Sequence, residues 1–386
     1  MSGHYALCAP RIFDGQDWHK DAALVIVGNV IEAITPLATL STDIKHVDAD
    51  CALLAPGFID LQVNGGGGVM LNDHPDLASI QTICAAHAPF GTTALLPTLI
   101  TDTAKITAAA IKAGQQAHEQ KIPGFLGLHL EGPHLSTSRK GAHDERLIRK
   151  MEEKDLNALI SAVSCLPVLL TTLAPESVTL EQVEALAKAG VIVSLGHSDA
   201  SHATACAYAR AGAGMVTHLF NAMSPLGNRE PGLVGAALDS DTLFTGLIAD
   251  GIHVDPATIS LALRAKRKPA KLFLVTDAMA TIGTSLPSFT LNGRTIRRAQ
   301  GSLRLEDGTL AGADLDMISA VRFMHRTIGL DLGEALRMAS LYPAQAIGQS
   351  HRLGRLVKGA SANITALNDT LDVGSVWIDG AQVFKN

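Results

Sequence analysis

Eight short apolar runs alternate with segments of helical periodicity along most of this chain, and this alternation constrains its fold more than any other feature. Runs that are apolar almost throughout are typical of parallel strands covered on both faces. Helix-like segments, such as 180–189 and 201–211, lie between them. Eight such units predict an α/β fold, a closed (β/α)8 TIM-like barrel. The runs cover residues 57–63, 92–96, 125–131, 167–173, 191–196, 214–219, 244–250 and 272–277.

The same alternation is also compatible with an open, doubly wound sheet. The two folds differ in where they place polar residues. A doubly wound sheet concentrates its ligand contacts at one switch point, whereas a barrel collects them at the carboxyl ends of many strands. Polar residues follow at least five separate runs of this chain. The sequence therefore favours the barrel.

Both ends of the chain differ from the middle in their pattern of apolar and turn residues. Residues 5–54 are short apolar pieces broken by turn residues, and pairs such as Gly28-Asn29 indicate antiparallel hairpins. The tail resumes this pattern at 362–366 and 375–380. We therefore predict one small β-sandwich domain assembled from both chain ends, with the barrel inserted between them.

The predicted domain boundaries lie where this residue pattern changes. The β-sandwich domain takes residues 1–54 and 355–386, and the barrel takes residues 55–354. Between the last barrel strand and the tail, the pattern predicts a hairpin around 291–294, then helices over about 315–328 and 332–340.

Composition and charge exclude several classes of function. The formal net charge is -6, and the longest basic stretch is the mixed segment 264–268, which we interpret as a solvated helix end. We therefore expect no nucleic-acid partner. The five cysteines have no paired spacing, so neither a disulfide framework nor a zinc ribbon is predicted. No apolar run approaches the roughly 18 residues needed to cross a bilayer, so we expect no membrane partner and a cytoplasmic location.

Three of the predicted strands end in residues that bind metals. Glu131, His197 and His218 each stand at the downstream end of an apolar run. Carboxylate oxygen and imidazole nitrogen are ligands for zinc and ferrous iron, and a catalytic metal with three protein ligands keeps one position open for water. A single histidine at a strand end is more often a structural residue with satisfied hydrogen bonds. Three such residues on different strands favour a metal site.

A fourth strand, the most apolar of the set, is followed by Asp277. At a barrel mouth, beside a metal, this carboxylate would act as general base toward water and then as general acid toward the leaving group. A helix N-cap is an equally supported interpretation, because Asp277 precedes Ala-Met-Ala.

Two further residues suit a phosphate group. Arg229 lies in a glycine- and proline-rich segment at 227–232, and His253 follows another predicted strand. A guanidinium binds phosphate in bidentate fashion. A surface salt bridge between Arg229 and Glu230 is about as compatible with this segment.

A series of motifs runs in order along nearly the whole chain. It comprises Pro-Gly-Phe-Ile-Asp at 56–60, His-Leu-Glu-Gly-Pro at 129–133, Lys-Gly-Ala-His at 140–143, Gly-His-Ser at 196–198, Thr-His-Leu-Phe-Asn-Ala-Met at 217–223, Arg-Glu-Pro-Gly at 229–232, Asp-Gly-Ile-His at 250–253, Thr-Asp-Ala at 276–278 and Tyr-Pro-Ala at 342–344. The series resembles the amidohydrolase superfamily and, more specifically, the family of N-acetylglucosamine-6-phosphate deacetylases. Gly-His-Ser or Thr-Asp-Ala alone would be a weak signal, whereas the full series is specific.

The resemblance implies an activity and an assembly. Members of that family hydrolyse the N-acetyl group of N-acetylglucosamine 6-phosphate, giving glucosamine 6-phosphate and acetate, in amino sugar catabolism and cell-wall recycling. The resemblance also implies a barrel with a small β-sandwich and a homodimer. The partner molecule would be a small amino sugar phosphate.

Carried over motif by motif, the resemblance implies roles for individual residues. The metal ligands would be Glu131, His197 and His218. Asp277 would be the catalytic base and acid, and His143 would contact the sugar and stabilise the tetrahedral oxyanion. The substrate-binding residues would be Ala142, His143, Asn221, Ala222, Arg229 and His253, the last four at the phosphate end.

Two segments depart from the usual pattern. Many amidohydrolases have His-x-His after the first strand, where this chain has Gln62 and Asn64. Neutral amides are poor ligands for zinc or iron, so we expect one tightly held divalent metal per chain, with zinc first and iron as the alternative. In addition, Ala-Gly-Ala-Asp at 311–314 replaces a more usual Ala-Gly-Ser and adds the Asp314 carboxylate near the predicted mouth.

Two other functions are compatible with parts of this pattern. Another amidohydrolase, acting on a cyclic amide or an aminopurine, would share the metal ligands. Against a cyclic amidase, the fourth strand carries Thr171 and Thr172 and has no lysine to bridge two metals. A non-catalytic barrel serving as a scaffold tends to lose metal ligands, and this chain keeps all three together with Asp277. A metal-dependent deacetylase is therefore the main hypothesis.

Overall fold

The computed structural model describes residues 3–386, and the chain begins with a small set of strands. These are β1 (His4–Phe13), β2 (Trp18–Val27), β3 (Val30–Pro36), β4 (Lys45–Asp48) and β5 (Leu53–Pro56). Strands β1, β2 and β3 pair antiparallel, and β4 and β5 run parallel to β1.

Eight parallel strands follow, and they form the second sheet in the order in which they occur along the chain. A two-stranded hairpin, β7 (Gly65–Gly66) and β8 (Val69–Met70), separates the first of them from the second. The eight strands are β6 (Phe58–Val63), β9 (Thr92–Ile100), β10 (Leu128–Glu131), β11 (Leu169–Leu173), β12 (Ile192–Leu195), β13 (Met215–Val216), β14 (Phe244–Ile248) and β15 (Leu272–Val275).

Helices connect these strands and cover the outside of the sheet. Most of them start where the sequence offers a capping side chain, since Asp76, Thr103, Thr179, Ser201 and Asp255 each accept a hydrogen bond from a backbone N–H of the first turn. The helices are α1 (Leu77–His87), α2 (Ala104–Glu119), α3 (Glu153–Ala162), α4 (Leu180–Ala189), α5 (His202–Arg210), α6 (Gly232–Asp239) and α7 (Pro256–Ala265).

Backbone hydrogen bonds join the last parallel strand to the first. The N–H of Asp277 donates to the carbonyl of Gln62 at 3.0 Å, and the N–H of Asn64 donates to the carbonyl of Ala278 at 2.8 Å. The predicted (β/α)8 barrel is therefore confirmed, and all eight predicted strands are present. Because the strands are parallel, the residues that follow them meet at one end of the barrel.

The segment after the barrel strands forms a second, smaller sheet and three helices. The predicted hairpin is confirmed, since Leu291 pairs with Arg294 across its turn. Two predicted helices also exist, with slightly shorter bounds. The elements are β16 (Ser288–Leu291), β17 (Arg294–Ala299), β18 (Ser302–Arg304), β19 (Leu310–Ala313), α8 (Met317–Arg326), α9 (Leu332–Ala339) and α10 (Leu341–Ala346).

The chain then returns to the sheet where it began. Strands β20 (Ile364–Leu367), β21 (Val373–Ile378) and β22 (Ala381–Lys385) join β5, so that both chain ends share one eight-stranded sheet. Side chains of β1, β2, β20 and β21 pack together in a core separate from that of the barrel. A second domain built from both chain ends is thus confirmed, while its boundaries after residues 54 and 354 stay a prediction. Within residues 3–386, no helix is long and apolar enough to cross a membrane.

Candidate active site

Glu131, His197 and His218 converge at the carboxyl end of the barrel. Glu131 Oε1 lies 3.2 Å from His197 Nε2 and 3.1 Å from His218 Nε2, and the two Nε2 atoms are 3.0 Å apart. All three residues are buried. Burial opposes ionisation of Glu131, but its close contacts with the His197 and His218 rings outweigh burial and hold the pKa of this carboxyl well below its usual range. The site thus contains a buried anion facing two ring nitrogens.

The arrangement of these atoms fits a metal ion. Ligand atoms bound tetrahedrally at 2.0–2.1 Å would lie about 3.3 Å from one another, close to the spacing of these three atoms. Nδ1 of His197 lies 2.9 Å from the carbonyl of Arg139. This nitrogen therefore donates to the carbonyl, which leaves Nε2 as the ring atom that faces the site. Fixing the tautomer through the other ring nitrogen is typical of metal-binding histidines.

His143 forms a second face of this site. Its ring lies against that of His197, with centroids 4.4 Å apart, and ligand atoms of Glu131, His143 and His197 also lie within 4.8 Å of one another. The backbone N–H of Thr101 donates to His143 Nδ1 at 3.3 Å. Burial and the neighbouring His197 lower the pKa of His143 to about 3, so its ring is neutral and carries its hydrogen on Nε2. This tautomer suits a hydrogen-bond donor, so we place His218 rather than His143 in the ligand set.

Asp277 lies at the same mouth, held by two side-chain amides. Asn64 Nδ2 donates to Asp277 Oδ1 at 2.7 Å, and Gln62 Nε2 donates to the same oxygen at 3.2 Å. Burial and the Glu131 carboxylate raise the pKa of Asp277 to about 6. The N-cap interpretation is wrong, because within the described part of the chain the next helix begins only at Met317. A carboxylate with a raised pKa suits a group that both accepts and donates a proton.

Gln62 and Asn64 point into the site as hydrogen-bond donors. The Gln62 amide also donates to Glu131 Oε1, at 3.1 Å, so it bridges the two carboxylates. An NH2 group directed at both carboxylates has no lone pair to offer a cation. The amides therefore occupy the place where a His-x-His pair would supply a second metal site.

We accordingly expect purified protein to retain one equivalent of divalent metal per chain after extensive dialysis, because residues 3–386 contain a single cluster of suitable ligand atoms. Elemental analysis against protein concentration measures this ratio. Two equivalents retained after dialysis would contradict the single-site interpretation.

Three of the four central residues have a left-handed backbone. The φ angles are 49° at His197, 25° at His218 and 52° at Asp277. Non-glycine residues rarely adopt positive φ, and such strain clusters at functional sites where the surroundings impose it. The strain also explains why β13 ends at Val216, short of the predicted 219. The chain leaves the strand in order to turn the His218 side chain into the site.

The segment after His218 forms the opposite wall of the cavity. Asn221 and Ala222 line it, and φ is positive at residues 218, 220 and 222 but not at the residues between them. Alternation of this kind turns successive backbone N–H groups toward one side, a geometry that binds anions. His253 lines the same cavity, and its Nδ1 lies 2.6 Å from Asp250 Oδ2. Ala142, beside His143, also contributes to the lining.

Arg229 lies apart from these residues. Its side chain is exposed on the loop before α6, and it is not among the residues that line the cavity. Among the described residues, the alternative ion pair between Arg229 and Glu230 does not form, because the Glu230 carboxylate instead accepts hydrogen bonds from the backbone N–H groups of His202 and Gly232. A phosphate contact by Arg229 therefore stays a prediction.

Asp314 does not face the cavity. It accepts hydrogen bonds from Thr281 Oγ1 at 2.9 Å and from Arg298 Nε at 2.6 Å. The carboxylate thereby joins the four-stranded sheet to the loop that follows Asp277. The additional acidic residue is compensated by an arginine and does not contact the site.

Sequence reasoning missed the wall that this four-stranded sheet contributes. Thr309, Leu310 and Gly312 line the cavity together with Ile100 and Met279. The N–H of Ala313 donates to the carbonyl of Asp277 at 2.9 Å, which places the end of β19 beside the site. The sequence placed the segment 311–314 near the mouth only through Asp314, and it gave no sign that residues 309–312 line the cavity. The cavity opens at the barrel mouth and has a volume of about 230 Å³.

A parallel barrel with a carboxylate, two imidazoles and an aspartate converging at the carboxyl ends of its strands defines the class of metal-dependent barrel hydrolases. The chain belongs to the amidohydrolase family. The sequence pattern of the Amidohydrolase family matches residues 53–383, and that of the NagA composite domain matches residues 4–54.

Individual relatives agree with this assignment. The chain is 42% identical to the N-acetylgalactosamine-6-phosphate deacetylase of Shewanella sp. (strain ANA-3), over 90% of this chain and 87% of that protein. It is 38% identical to the N-acetylglucosamine-6-phosphate deacetylase of Haemophilus influenzae, over 97% of this chain and 98% of that protein. The crystal structure of N-acetylglucosamine-6-phosphate deacetylase from Pasteurella multocida superposes with a TM-score of 0.95 at 37% identity, covering 99% of this chain and 100% of that chain.

Proposed function

We propose that this protein hydrolyses the N-acetyl group of N-acetylglucosamine 6-phosphate, giving glucosamine 6-phosphate and acetate. The observation that carries the proposal is the convergence of Glu131, His197 and His218 within 3.2 Å beside a buried Asp277, in one cavity with His143 and His253. Similarity to named deacetylases over nearly the full chain supports the substrate class.

The proposed mechanism divides the work among these residues. A divalent metal held by Glu131, His197 and His218 would supply Lewis-acid polarisation of the acetyl carbonyl. Asp277 takes a proton from the attacking water and later returns it to the departing amine. The Nε2–H of His143 donates to the oxygen that becomes negative in the tetrahedral intermediate. Zinc is the first candidate for the metal and iron the alternative, because both accept this ligand set.

The phosphate would bind at the opposite wall. His253, held by Asp250 through Nδ1, would present its other ring nitrogen to the phosphate. The backbone N–H of Ala222 would add a donor, with the Asn221 side chain beside it. Arg229 would add a charged contact from the neighbouring loop. Homodimerisation stays a prediction.

Replacing Arg229 by alanine tests the phosphate contact. We expect kcat/KM for the phosphorylated sugar to fall roughly tenfold to a hundredfold, because a hydrogen bond to a charged group contributes about 1.5–3 kcal/mol. Steady-state kinetics with N-acetylglucosamine 6-phosphate and with unphosphorylated N-acetylglucosamine measure the effect, and Arg264→Ala, on exposed α7, serves as the control. An equal loss with both substrates would show that Arg229 has no phosphate role.

A second candidate substrate is N-acetylgalactosamine 6-phosphate, which the name of the Shewanella relative favours. The two sugars differ only in the configuration at C4, so the same acetyl chemistry serves both. A coupled assay for acetate, run in parallel with both sugar phosphates, distinguishes them by kcat/KM. Acetate release from neither, with turnover of a cyclic amide or an aminopurine, would instead support the other amidohydrolase activities.

A further inference from the structure

We propose that a buried hydrogen-bonded chain of side chains beneath the metal site acts as a set of positioning residues for the metal ligands. The chain, called here the floor chain, consists of Thr98, His129, Thr172, Thr217 and Ser194. It lies one layer below Glu131, His197 and His218, and the proposal rests on the proposed role of those three residues as ligands.

Short distances connect the floor chain across four consecutive barrel strands, β9 to β12, and the residue that follows β13. All five residues are buried, with exposed fractions of 5% or less. The contacts are Thr98 Oγ1 to His129 Nδ1 at 3.3 Å, His129 Nε2 to Thr172 Oγ1 at 2.7 Å, Thr172 Oγ1 to Thr217 Oγ1 at 2.6 Å, and Thr217 Oγ1 to Ser194 Oγ at 2.6 Å.

One direction of hydrogen bonding satisfies every member. Thr98 Oγ1 lies 3.1 Å from the carbonyl of Leu96 and donates to it, so His129 Nδ1 donates to Thr98 and His129 Nε2 accepts from Thr172. Thr172 then accepts from Thr217, and Thr217 accepts from Ser194. In the opposite direction, the Ser194 hydroxyl would have no acceptor among residues 3–386. The network therefore selects one tautomer of His129 and one orientation for each hydroxyl.

The floor chain lies directly under the ligands. His129 precedes Glu131 by two residues, so both side chains point into the barrel. Thr217 adjoins His218, and Ser194, on β12, lies three residues before His197. A Cβ atom at Gly196 would lie 2.8 Å from Thr172 Cγ2 and 3.0 Å from Thr217 Cβ. The turn that carries His197 therefore rests on the two threonines.

Two of the ligands need such support because their backbones are strained. Positive φ at His197 and His218 persists only where surrounding contacts impose it. The interior of a barrel is usually filled by Val, Ile and Leu, and burying five polar side chains is costly unless all of them are paired. In this layer of the barrel interior, fully paired polar side chains replace apolar packing with directional hydrogen bonds. Directional bonds hold strands in fixed register, which a metal site with three ligands from three strands requires.

The test measures metal affinity, not activity alone. In Thr172→Val, which removes the hydroxyl at nearly constant volume, we expect the zinc dissociation constant to rise about tenfold to a hundredfold, the range found for supporting residues of metal sites. Competition with a chromophoric chelator measures this constant. The metal-induced rise in melting temperature should shrink in the same variant, excess zinc should restore most of the activity, and Thr172→Ser should retain near wild-type affinity.

Thr171→Val is the matched control. Thr171 adjoins Thr172 on β11, is equally buried and donates to the carbonyl of Leu130 at 3.1 Å, but it lies outside the floor chain. We expect its zinc affinity to stay within twofold of wild type. A folded Thr172→Val protein with unchanged zinc affinity would overturn the proposal. If that variant does not fold, Ser194→Ala decides by the same criterion.

His218→Ala, measured in the same competition assay, separates the two proposals. Loss of zinc affinity in His218→Ala with no change in Thr172→Val would reject the floor chain alone. Unchanged affinity in His218→Ala would reject the ligand assignment itself.

Discussion

Replacing Asp277 by asparagine should lower kcat by about a hundredfold to ten-thousandfold, the contribution typical of general acid–base catalysis, while the metal remains bound. Asparagine keeps the shape of the side chain but can neither take a proton from water nor return one to the amine. Because Gln62, Asn64 and the metal ligands remain in place, KM and metal content should change little. Steady-state kinetics together with elemental analysis check both expectations.

The role of Asp277 as a base also predicts how the activity depends on pH. Burial and the Glu131 carboxylate raise the pKa of Asp277 to about 6, and the base is active only when ionised. The activity of the natural protein should therefore fall as the pH drops through the pKa of Asp277, and this limb of the profile should disappear in Asp277→Asn. Asp255→Asn is the control, since asparagine caps α7 as well as aspartate does. Activity of Asp277→Asn near wild type would reject Asp277 as the base.

Glu131→Gln should abolish tight metal binding and activity together. Glu131 is the one carboxylate in the proposed ligand set, and its pKa lies well below the usual range, so it contributes a full negative charge facing two imidazoles. A neutral amide is a poor ligand for zinc or iron. We expect the metal dissociation constant to rise by more than about a hundredfold, beyond the effect of removing a supporting residue.

Equilibrium dialysis against zinc or ferrous iron measures the loss in Glu131→Gln. Glu334→Gln is the matched control, because Glu334, on α9, accepts hydrogen bonds from Arg337 on the same helix and from Tyr342 on α10 and has no part in the site. Tight metal binding that persists in Glu131→Gln would favour another ligand set, and the cluster that includes His143 would be the first to examine.

Local sequence signals predicted the bounds of some helices and strands to the exact residue. Helix α4 runs over 180–189 as expected, because Thr179 caps its start and Gly190, with φ of 96°, ends it. Strands of the barrel were recognisable for a similar reason, since each is buried on both faces and is largely apolar. Predicted bounds were least accurate where the chain leaves a strand to form the site. Strand β13 is only two residues long because the backbone turns left-handed at His218.

Local sequence patterns could not predict which side chains form hydrogen bonds across the barrel. The sequence marks Gln62 and Asn64 as the residues that replace a metal-binding pair, but only the fold shows that their amides hold Asp277 and, from Gln62, Glu131. Asp314 was expected near the mouth, and it pairs instead with Arg298 on the neighbouring sheet. Such contacts join residues far apart along the chain, and no local periodicity records them.

The sequence by itself determined the barrel, the second domain built from both chain ends, and the four central residues, because strand burial and the residues at strand ends are properties of short segments. Only the tertiary structure decided the tautomers of His143 and His197, the donors that hold Asp277, and the wall contributed by residues 309–312. The physical reason is that hydrogen-bond direction and pKa depend on which groups meet in space. Those contacts form only when the whole barrel closes.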